Sequence, residues 1–365
     1  MNRDVGSGSS RVSPKGGVRL FRLSHSRTLQ PTQTENKTMM QDIVMTGDRP
    51  TGPMHVGHYF GALKKRFEMQ DDCRCFFMVA DYQALSTHAD RSSEIEANVI
   101  GMVRDYLAAG FDPEKAVCFL QSQVPQLTEL TVILSNLVTL SRLLRNPTTK
   151  QEMADLNRQS SFAFVGYPVS QAADILMMRP RYVPVGPDQR PHIELAREIA
   201  QRFNNQFGEL FPIPEGVYGE QFGGTDGGGK MSTSLGNAIN LCDDPETIER
   251  KVDAMQTDPA RVRRNDPGTP ERCPVHGFHK GIGTDSLNQI EDGCRSATFG
   301  CVECKRKLTT GFDALIEPIG ERRSRYTDED VRDILQHGGA IARITAQRTL
   351  EAVKDAIGFN YAILQ

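Results

Sequence analysis

His55 and His58 stand three residues apart at the end of a Gly/Pro-rich turn, inside the stretch that runs from Asp42 to Leu63. Imidazoles so placed can donate hydrogen bonds to a phosphate as it gains charge. Ile43, Val44 and Met45 form an apolar run of strand type, which Gly47, Pro50, Gly52 and Pro53 break. Tyr59, Phe60, Ala62, Leu63 and Phe67 then recur at helical spacing. Both histidines therefore fall on one face at a helix start. Free N–H groups and the positive dipole end there suit phosphate. Gly57 removes a side chain where a flat base could lie on the backbone. A turn with two surface histidines would read the same way.

Other residues add chemistry of the same kind. The stretch Gly227-Gly-Gly-Lys-Met-Ser-Thr-Ser-Leu235 is a flexible glycine run followed by a lysine and hydroxyls. Such a loop can approach a ligand closely and follow a leaving pyrophosphate. Tyr167, Gln171 and Asp174 share a helix face by their spacing. Asp174 lies in an apolar stretch, where an unpaired carboxylate would be costly. It needs a donor, supplied by an N-cap, by a core salt bridge, or by a substrate N–H or O–H. Gly186, Asp188 and Gln189 fall at a strand's carboxyl end. Asp188 either accepts from ribose hydroxyls or caps a helix spanning His192–Phe203, or does both. Arg145 and Lys150 are candidates for phosphate contact or plain solvated charges.

These residues must be carried by a βαβ rhythm. Cys75–Ala80 and Val117–Leu120 read as strands. Ile95–Ala109 reads as a helix with Gly110 as its C-cap, and Leu127–Leu144 as another that ends in a loop over 143–150. The rhythm predicts a parallel, doubly wound α/β sheet with ligands at the carboxyl ends of its strands. Beyond about residue 308 the chain is charged and helical, with an apolar stripe over Ile341–Ile357. Cys73, Cys75 and Cys118 lie in or beside apolar runs and read as small core residues.

His55-Val-Gly-His58 resembles the "HIGH" element of class I aminoacyl-tRNA synthetases, and Lys230-Met-Ser-Thr-Ser234 resembles their "KMSKS" loop. Thr233 stands where the family usually has a second lysine. The runs 167–176, 183–189 and 192–195 are similar to the tryptophanyl-tRNA synthetase family specifically, and the resemblance extends from residue 42 to the C-terminus. It implies a Rossmann-like catalytic domain over 41–235 and a mainly helical anticodon-binding region with the four-cysteine loop over 236–365, part of whose C-terminal helices could pack back on the catalytic domain. It further implies ATP-dependent activation of L-tryptophan, transfer to tRNA(Trp), and a homodimer. In that family Asp174 would take the indole N–H, while Tyr167 and Gln189 hold the amino acid's polar end beside Met45 and Gln171. ATP would lie on Arg49, Pro50, Thr51, Gly57, His58, Gly186, Pro187 and Asp188. Lys230, Met231, Ser232, Thr233 and Ser234 of the loop would also touch it. Catalysis would rest on His55, His58, Lys150, Lys230, Ser232 and Mg²⁺. Arg49 stands where many bacterial members have glutamine, and Gln171 where some have methionine. A tyrosyl-tRNA synthetase, or a catalytically silent paralogue with a binding role, are the alternatives.

Cys273, Cys294, Cys301 and Cys304 are separated by 20, 6 and 2 residues. Four thiolates can hold an iron–sulfur cluster or close a zinc site. Structural zinc sites usually show two C-x-x-C hooks, and only one is present. Some bacterial members of the resembled family carry a [4Fe–4S] cluster on a similar pattern, so cluster, zinc and free thiols all stay open. The loop carrying Gly281, Gly283 and Gly293 is expected to need such a tie. Lys305, Arg306 and Lys307 form a basic run, either a solvated face or a contact for RNA phosphates.

The chain has 365 residues and a formal net charge of −3, so it is no basic nucleic-acid coat, and no DNA partner is expected. No run reaches transmembrane length and no signal-type apolar region follows the first methionine. Residues 1–40 form a basic, Arg- and Ser-rich extension. It reads as a flexible tail, an organellar transit peptide, or the product of a start codon placed before Met39 and Met40. A cytoplasmic location is expected, or a mitochondrial one if the extension is a transit peptide.

Overall fold

The computed structural model describes residues 41–156, 161–284, 286–361 and 363. The N-terminal extension lies outside them, as does the side chain of Ser234. Five parallel strands form one sheet: β1 (Ile43–Asp48), β2 (Arg74–Val79), β3 (Ala116–Leu120), β4 (Tyr182–Val185) and β5 (Glu215–Tyr218), in the order β3-β2-β1-β4-β5. The chain winds outward from β1 to β3, then returns to β4 on the other side. The direction reverses between β1 and β4, and there the carboxyl ends open a crevice. This is the Rossmann-like doubly wound sheet that the sequence predicts.

Alternation along the strands splits the core in two. Val44, Cys75, Phe77, Val79 and Cys118 face one cluster, with Tyr106 and Leu63. Met45, Phe76, Met78, Phe119 and Val183 face the other, with helix residues Leu130, Ala173 and Ile199. Cys75 and Cys118 are buried, as expected of small core residues. The helix Ile95–Ala109 ends at Gly110, whose φ of 126° only glycine adopts freely.

Three local expectations need correction. The helix read over Leu127–Leu144 is two, Gln126–Ser135 and Leu140–Leu144. Asn136 ends the first by donating its side-chain amide to Val132 O and Ile133 O, and Thr139 caps the second. The loop read over 143–150 is largely a helix, Pro147–Leu156. Asn146 Oδ1 accepts from the N–H groups of Thr148 and Thr149, and Pro147 takes the first helical position, where its missing N–H costs nothing. The glycine-bearing stretch near the late cysteines is likewise two helices, Pro274–Ile282 and Leu287–Arg295. A Cβ on Gly281 would strike the Phe222 ring at 2.0 Å, and one on Gly293 would strike Phe299 at 2.0 Å. Those glycines serve close packing.

Residues Gln41–Gln365 form one compact unit. Its last two helices are Cys301–Arg323 and Asp328–Ala356, the latter opened by a Thr327/Asp330 capping box. Val331 and Leu335 of the last helix join one core, and Ala342, Ala346 and Val353 join the other. This helix therefore crosses the edge of the sheet at β3. No described helix is long and apolar enough to span a membrane.

Candidate functional site

β1 delivers the chain to the crevice at Asp48, and the turn Arg49–Pro53 leads to His55. His55 is the N-cap of the helical turn Val56–His58, which continues as a wide π turn, Tyr59–Leu63, and then Lys64–Met69. The two histidines bond the backbone reciprocally. His58 N donates to His55 Nδ1 at 3.3 Å, and His55 N donates to His58 Nδ1 at 3.2 Å. With both Nδ1 atoms accepting, each neutral ring carries its proton on Nε2. Their centroids stack 3.7 Å apart. Burial, then the neighbouring His58 and Lys230, push His55 down to about 2. Burial again leads for His58, which falls to about 4 although Asp48 opposes the shift. These are neutral donors at physiological pH. A Cβ on Gly57 would meet the His55 ring at 2.9 Å and the Met231 sulfur at 3.4 Å, so its absence also lets the histidine and the loop pack closely.

The glycine loop docks on the same place. Val56 N donates to Ile239 O and Leu241 N to Met54 O, so the two signature stretches are joined by backbone. Asn237 organises the loop, accepting from Ser232 N at 2.8 Å and donating to the Asp226 carboxylate and to Lys230 O. Met231 is buried, and Thr233 stands over Gly52, where a Cβ would meet its methyl at 3.7 Å. Lys230 Nζ reaches Asp188 Oδ2 at 2.8 Å. Both partners are substantially exposed, so the pair is worth little and releases easily.

Asp188 is no helix cap; Gln189 precedes the helix Arg190–Phe207 and caps it without its side chain. The Asp188 carboxylate instead gathers donors. Burial would raise it, but the Lys230 ammonium and the Gln189 amide outweigh that and hold it below the usual range. Gly186 lets it fold back, since a Cβ there would lie 2.7 Å from Asp188 Oδ1. Gln189 Nε2 donates to Asp188 and Gln189 Oε1 accepts from Gln171 at 3.2 Å. A continuous line thus runs Gln171–Gln189–Asp188–Lys230. Thr148 Oγ1 donates to Asp188 O, which sets the helix carrying exposed Lys150 alongside.

Asp174 sits deeper, on the helix Phe162–Met177, 2 % exposed. Gln121 Nε2 lies 2.9 Å from both its oxygens and Gln83 Nε2 lies 3.3 Å from one. Burial raises it to about 7, against the pull of those amides. Neither glutamine shows a periodicity that would single it out, because each stands just past a strand end on another segment. Tyr167 OH lies 3.2 Å from His192 Nε2, and Met45 is buried on the face of β1 that meets this helix. Burial lowers His192 to about 4. Among the described residues, His192 Nδ1, Asn146 Nδ2 and Thr149 Oγ1 belong to the few buried side-chain atoms without a hydrogen-bond partner.

The four late cysteines converge. Cys273 caps the helix Pro274–Ile282, Cys294 lies near the end of Leu287–Arg295, and Cys301 and Cys304 share the first turn of Cys301–Arg323. Burial pushes the Cys304 thiol up to about 12, helped by Cys273, Cys294 and Cys301 nearby. Arg261 Nη1 donates to Cys294 Sγ at 3.8 Å, and His279 Nε2 lies 3.5 Å from Cys304 Sγ. Among the described residues, no three His, Cys, Asp or Glu side chains close into a metal-holding group.

Comparison with known proteins bears on this geometry. The family described as "tRNA synthetases class I (W and Y)" matches residues 39–317. The tryptophan–tRNA ligase of Treponema pallidum is 45 % identical over 327 residues, covering 87 % of this chain and 97 % of that one. That of Thermotoga maritima is 43 % identical over 328 residues, covering 87 % and 99 %. Among solved structures, the tryptophanyl-tRNA synthetase of Campylobacter jejuni complexed with ADP and tryptophan superposes with a TM-score of 0.75 at 31 % identity, over 87 % of this chain and 99 % of that one. The fold that carries this crevice is thus shared with those proteins over most of the chain, and the chain belongs to the tryptophan–tRNA ligase family of class I tRNA synthetases.

Proposed function

We propose that the chain activates L-tryptophan with ATP and transfers it to tRNA(Trp). The observation that carries this reading is Asp174, a buried carboxylate that accepts from two amides and keeps lone-pair capacity for one more donor, as an indole N–H requires. Tryptophan's carboxylate oxygen attacks the α-phosphorus of ATP, and the bond to the bridging oxygen breaks, releasing pyrophosphate. The tRNA terminal hydroxyl then takes the acyl group and AMP leaves. No side-chain nucleophile is needed; positioning and charge stabilisation suffice. His55 and His58 supply neutral Nε2–H donors to the phosphates. Lys230, once released from Asp188, follows the departing pyrophosphate with Ser232, and Lys150 and Arg49 add positive charge. Mg²⁺ enters on the ATP phosphates. Asp188 then accepts from the ribose. Tyr167 and Gln189 take the amino acid's polar end, beside Gln171 and Met45. ATP–pyrophosphate exchange with each amino acid in turn is the test. Stimulation by tryptophan alone is expected; stimulation by tyrosine would assign the chain to the tyrosine branch, and none at all would make it a silent paralogue.

The helices of 236–365 are the proposed anticodon-binding region, with Lys305, Arg306 and Lys307 on RNA phosphates. For Cys273, Cys294, Cys301 and Cys304 the proposed ligand is a [4Fe–4S] cluster, with zinc as the alternative; Arg261 and His279 offer N–H donors to sulfur, and only one C-x-x-C hook is present. When bound, the cluster would tie three helix ends together. A homodimer fits the exposed apolar residues Tyr82, Leu85, Val132, Leu140, Leu144 and Phe162, which lie on helix Phe162–Met177 and its neighbours. A cytoplasmic location is the proposed one, with a mitochondrial one if residues 1–40 are a transit peptide.

A further inference from the structure

Behind the crevice lies a charged cluster that no step above uses. Arg66 is 2 % exposed. A buried guanidinium is costly unless its N–H groups are matched. Here they are matched on both sides of the switch point. Nη1 and Nη2 grip the carboxylate of Asp48, the last residue of β1, and Nε donates to Pro184 O of β4 at 3.2 Å. Tyr106 OH donates to the same carboxylate, and Thr46 Oγ1 donates to the same carbonyl at 2.8 Å.

The sheet explains why side chains are needed there. Pro184 has no N–H to give to a ladder. β1 and β4 pair at Val44 and Tyr182, and no pairing extends from there toward the carboxyl ends. The ladder stops there, below the crevice. Arg66 and Thr46 replace the missing ladder bonds. The π turn Tyr59–Leu63 shifts the register of its helix, so that one element presents His58 to the crevice and Arg66 to the sheet beneath it.

We propose that Arg66 is a positioning residue that sets the width of the nucleotide crevice. It fixes the turn Arg49–Thr51, which follows Asp48, against the segment Gly186–Asp188, which follows Pro184 and Val185. The inference rests on the reading of those two segments as the ATP site. The indole acceptor Asp174 lies on the helix Phe162–Met177, and its partners Gln83 and Gln121 belong to neither tied segment.

The test reads binding without turnover. A non-hydrolysable ATP analogue is titrated by calorimetry into wild type, Thr46→Val, and the triple variant Asp48→Leu/Arg66→Met/Tyr106→Phe. The triple variant replaces the whole cluster by apolar groups, a change that buried ion pairs commonly tolerate. Tryptophan affinity is read in parallel by its own indole fluorescence, since the chain contains no tryptophan. The nucleotide Kd should rise about tenfold in the triple variant and about threefold in Thr46→Val, as lost hydrogen bonds of this kind imply, with tryptophan Kd changed less than about twofold. A nucleotide Kd within about twofold of wild type in both variants, or equal weakening of both ligands, would overturn the proposal. Should the triple variant fail to fold, Thr46→Val decides alone. Wild type that binds the nucleotide yet activates no tryptophan would sink the activity reading and leave this test intact.

Discussion

Asp174→Asn is the most informative single change. The carboxylate accepts from Gln121 and Gln83 and keeps a lone pair for one more donor. A hydrogen bond to a charged acceptor contributes about 1.5–3 kcal/mol, which is roughly a 10- to 150-fold preference for a substrate that can make it. Asparagine keeps the volume, but its NH₂ meets the amide donors already there, so the pocket loses its acceptor for the indole. The assay is ATP–pyrophosphate exchange with tryptophan and with an analogue whose ring nitrogen is replaced by sulfur. Wild type should prefer tryptophan by that factor, and Asp174→Asn by less than about threefold, the coupling that a double-substitution cycle isolates. The pH dependence adds a second reading. With the group raised to about 7, tryptophan binding should tighten between pH 6 and 8 as the carboxyl ionises, and the variant should be flat. Stability carries the opposite sign. From the ordinary carboxylate range up to about 7 the folded chain holds a proton that the unfolded chain has lost, so stability falls as pH rises through that window. An unchanged preference between the two substrates in Asp174→Asn would refute the assignment.

Lys230→Ala should lower kcat for adenylate formation about 100-fold while moving the tryptophan KM less than twofold, and Thr233→Lys should be neutral or faster; a large loss in Thr233→Lys would mean that the threonine over Gly52 is required. His55 and His58 are depressed to about 2 and about 4, so neither should shape the rate between pH 6 and 8. Because the unfolded chain takes up those protons first, stability should fall as pH drops below 6.5, and a shallower slope in His58→Asn melts would confirm the source. Asn237→Ala should loosen the lysine loop and speed its proteolysis; an unchanged cleavage pattern would deny it that role. Cys301→Ser should remove the iron and the brown colour of anaerobically purified protein and weaken tRNA charging while tryptophan activation survives. Stoichiometric zinc would select the zinc reading, and neither metal would leave the four cysteines without one.

Much of the fold was legible because strands such as Cys75–Ala80 and helices such as Ile95–Ala109 announce themselves by apolar runs and a glycine stop. Misread boundaries share a cause. Pro147 looks like a breaker until Asn146 is seen to cap, and Gly281 and Gly293 look like loop residues until Phe222 and Phe299 are seen beside them. The candidate site was legible where its residues are contiguous in the chain, as at His55–His58 and Gly186–Gln189, which the fold brings to one crevice. What stayed hidden comes together only in three dimensions. Gln83 and Gln121 reach Asp174 from two other segments, and Asp48, Arg66 and Tyr106 meet from a strand and two helices. Nothing in a single sequence marks such a pairing.

The last helix, Asp328–Ala356, carries Gly338 so close to β3 that a Cβ would fall 1.7 Å from Cys118 O. That contact joins residues more than two hundred positions apart, and it covers the outermost strand of the sheet. Until synthesis reaches it, a ribosome-bound chain displays β3 with open backbone groups and two apolar faces, the template on which strands of different molecules pair. A chaperone that shelters this edge during translation would raise the yield of native protein. Deletion of residues 328–365 should leave the nascent chain prone to aggregate although every residue of the crevice is present.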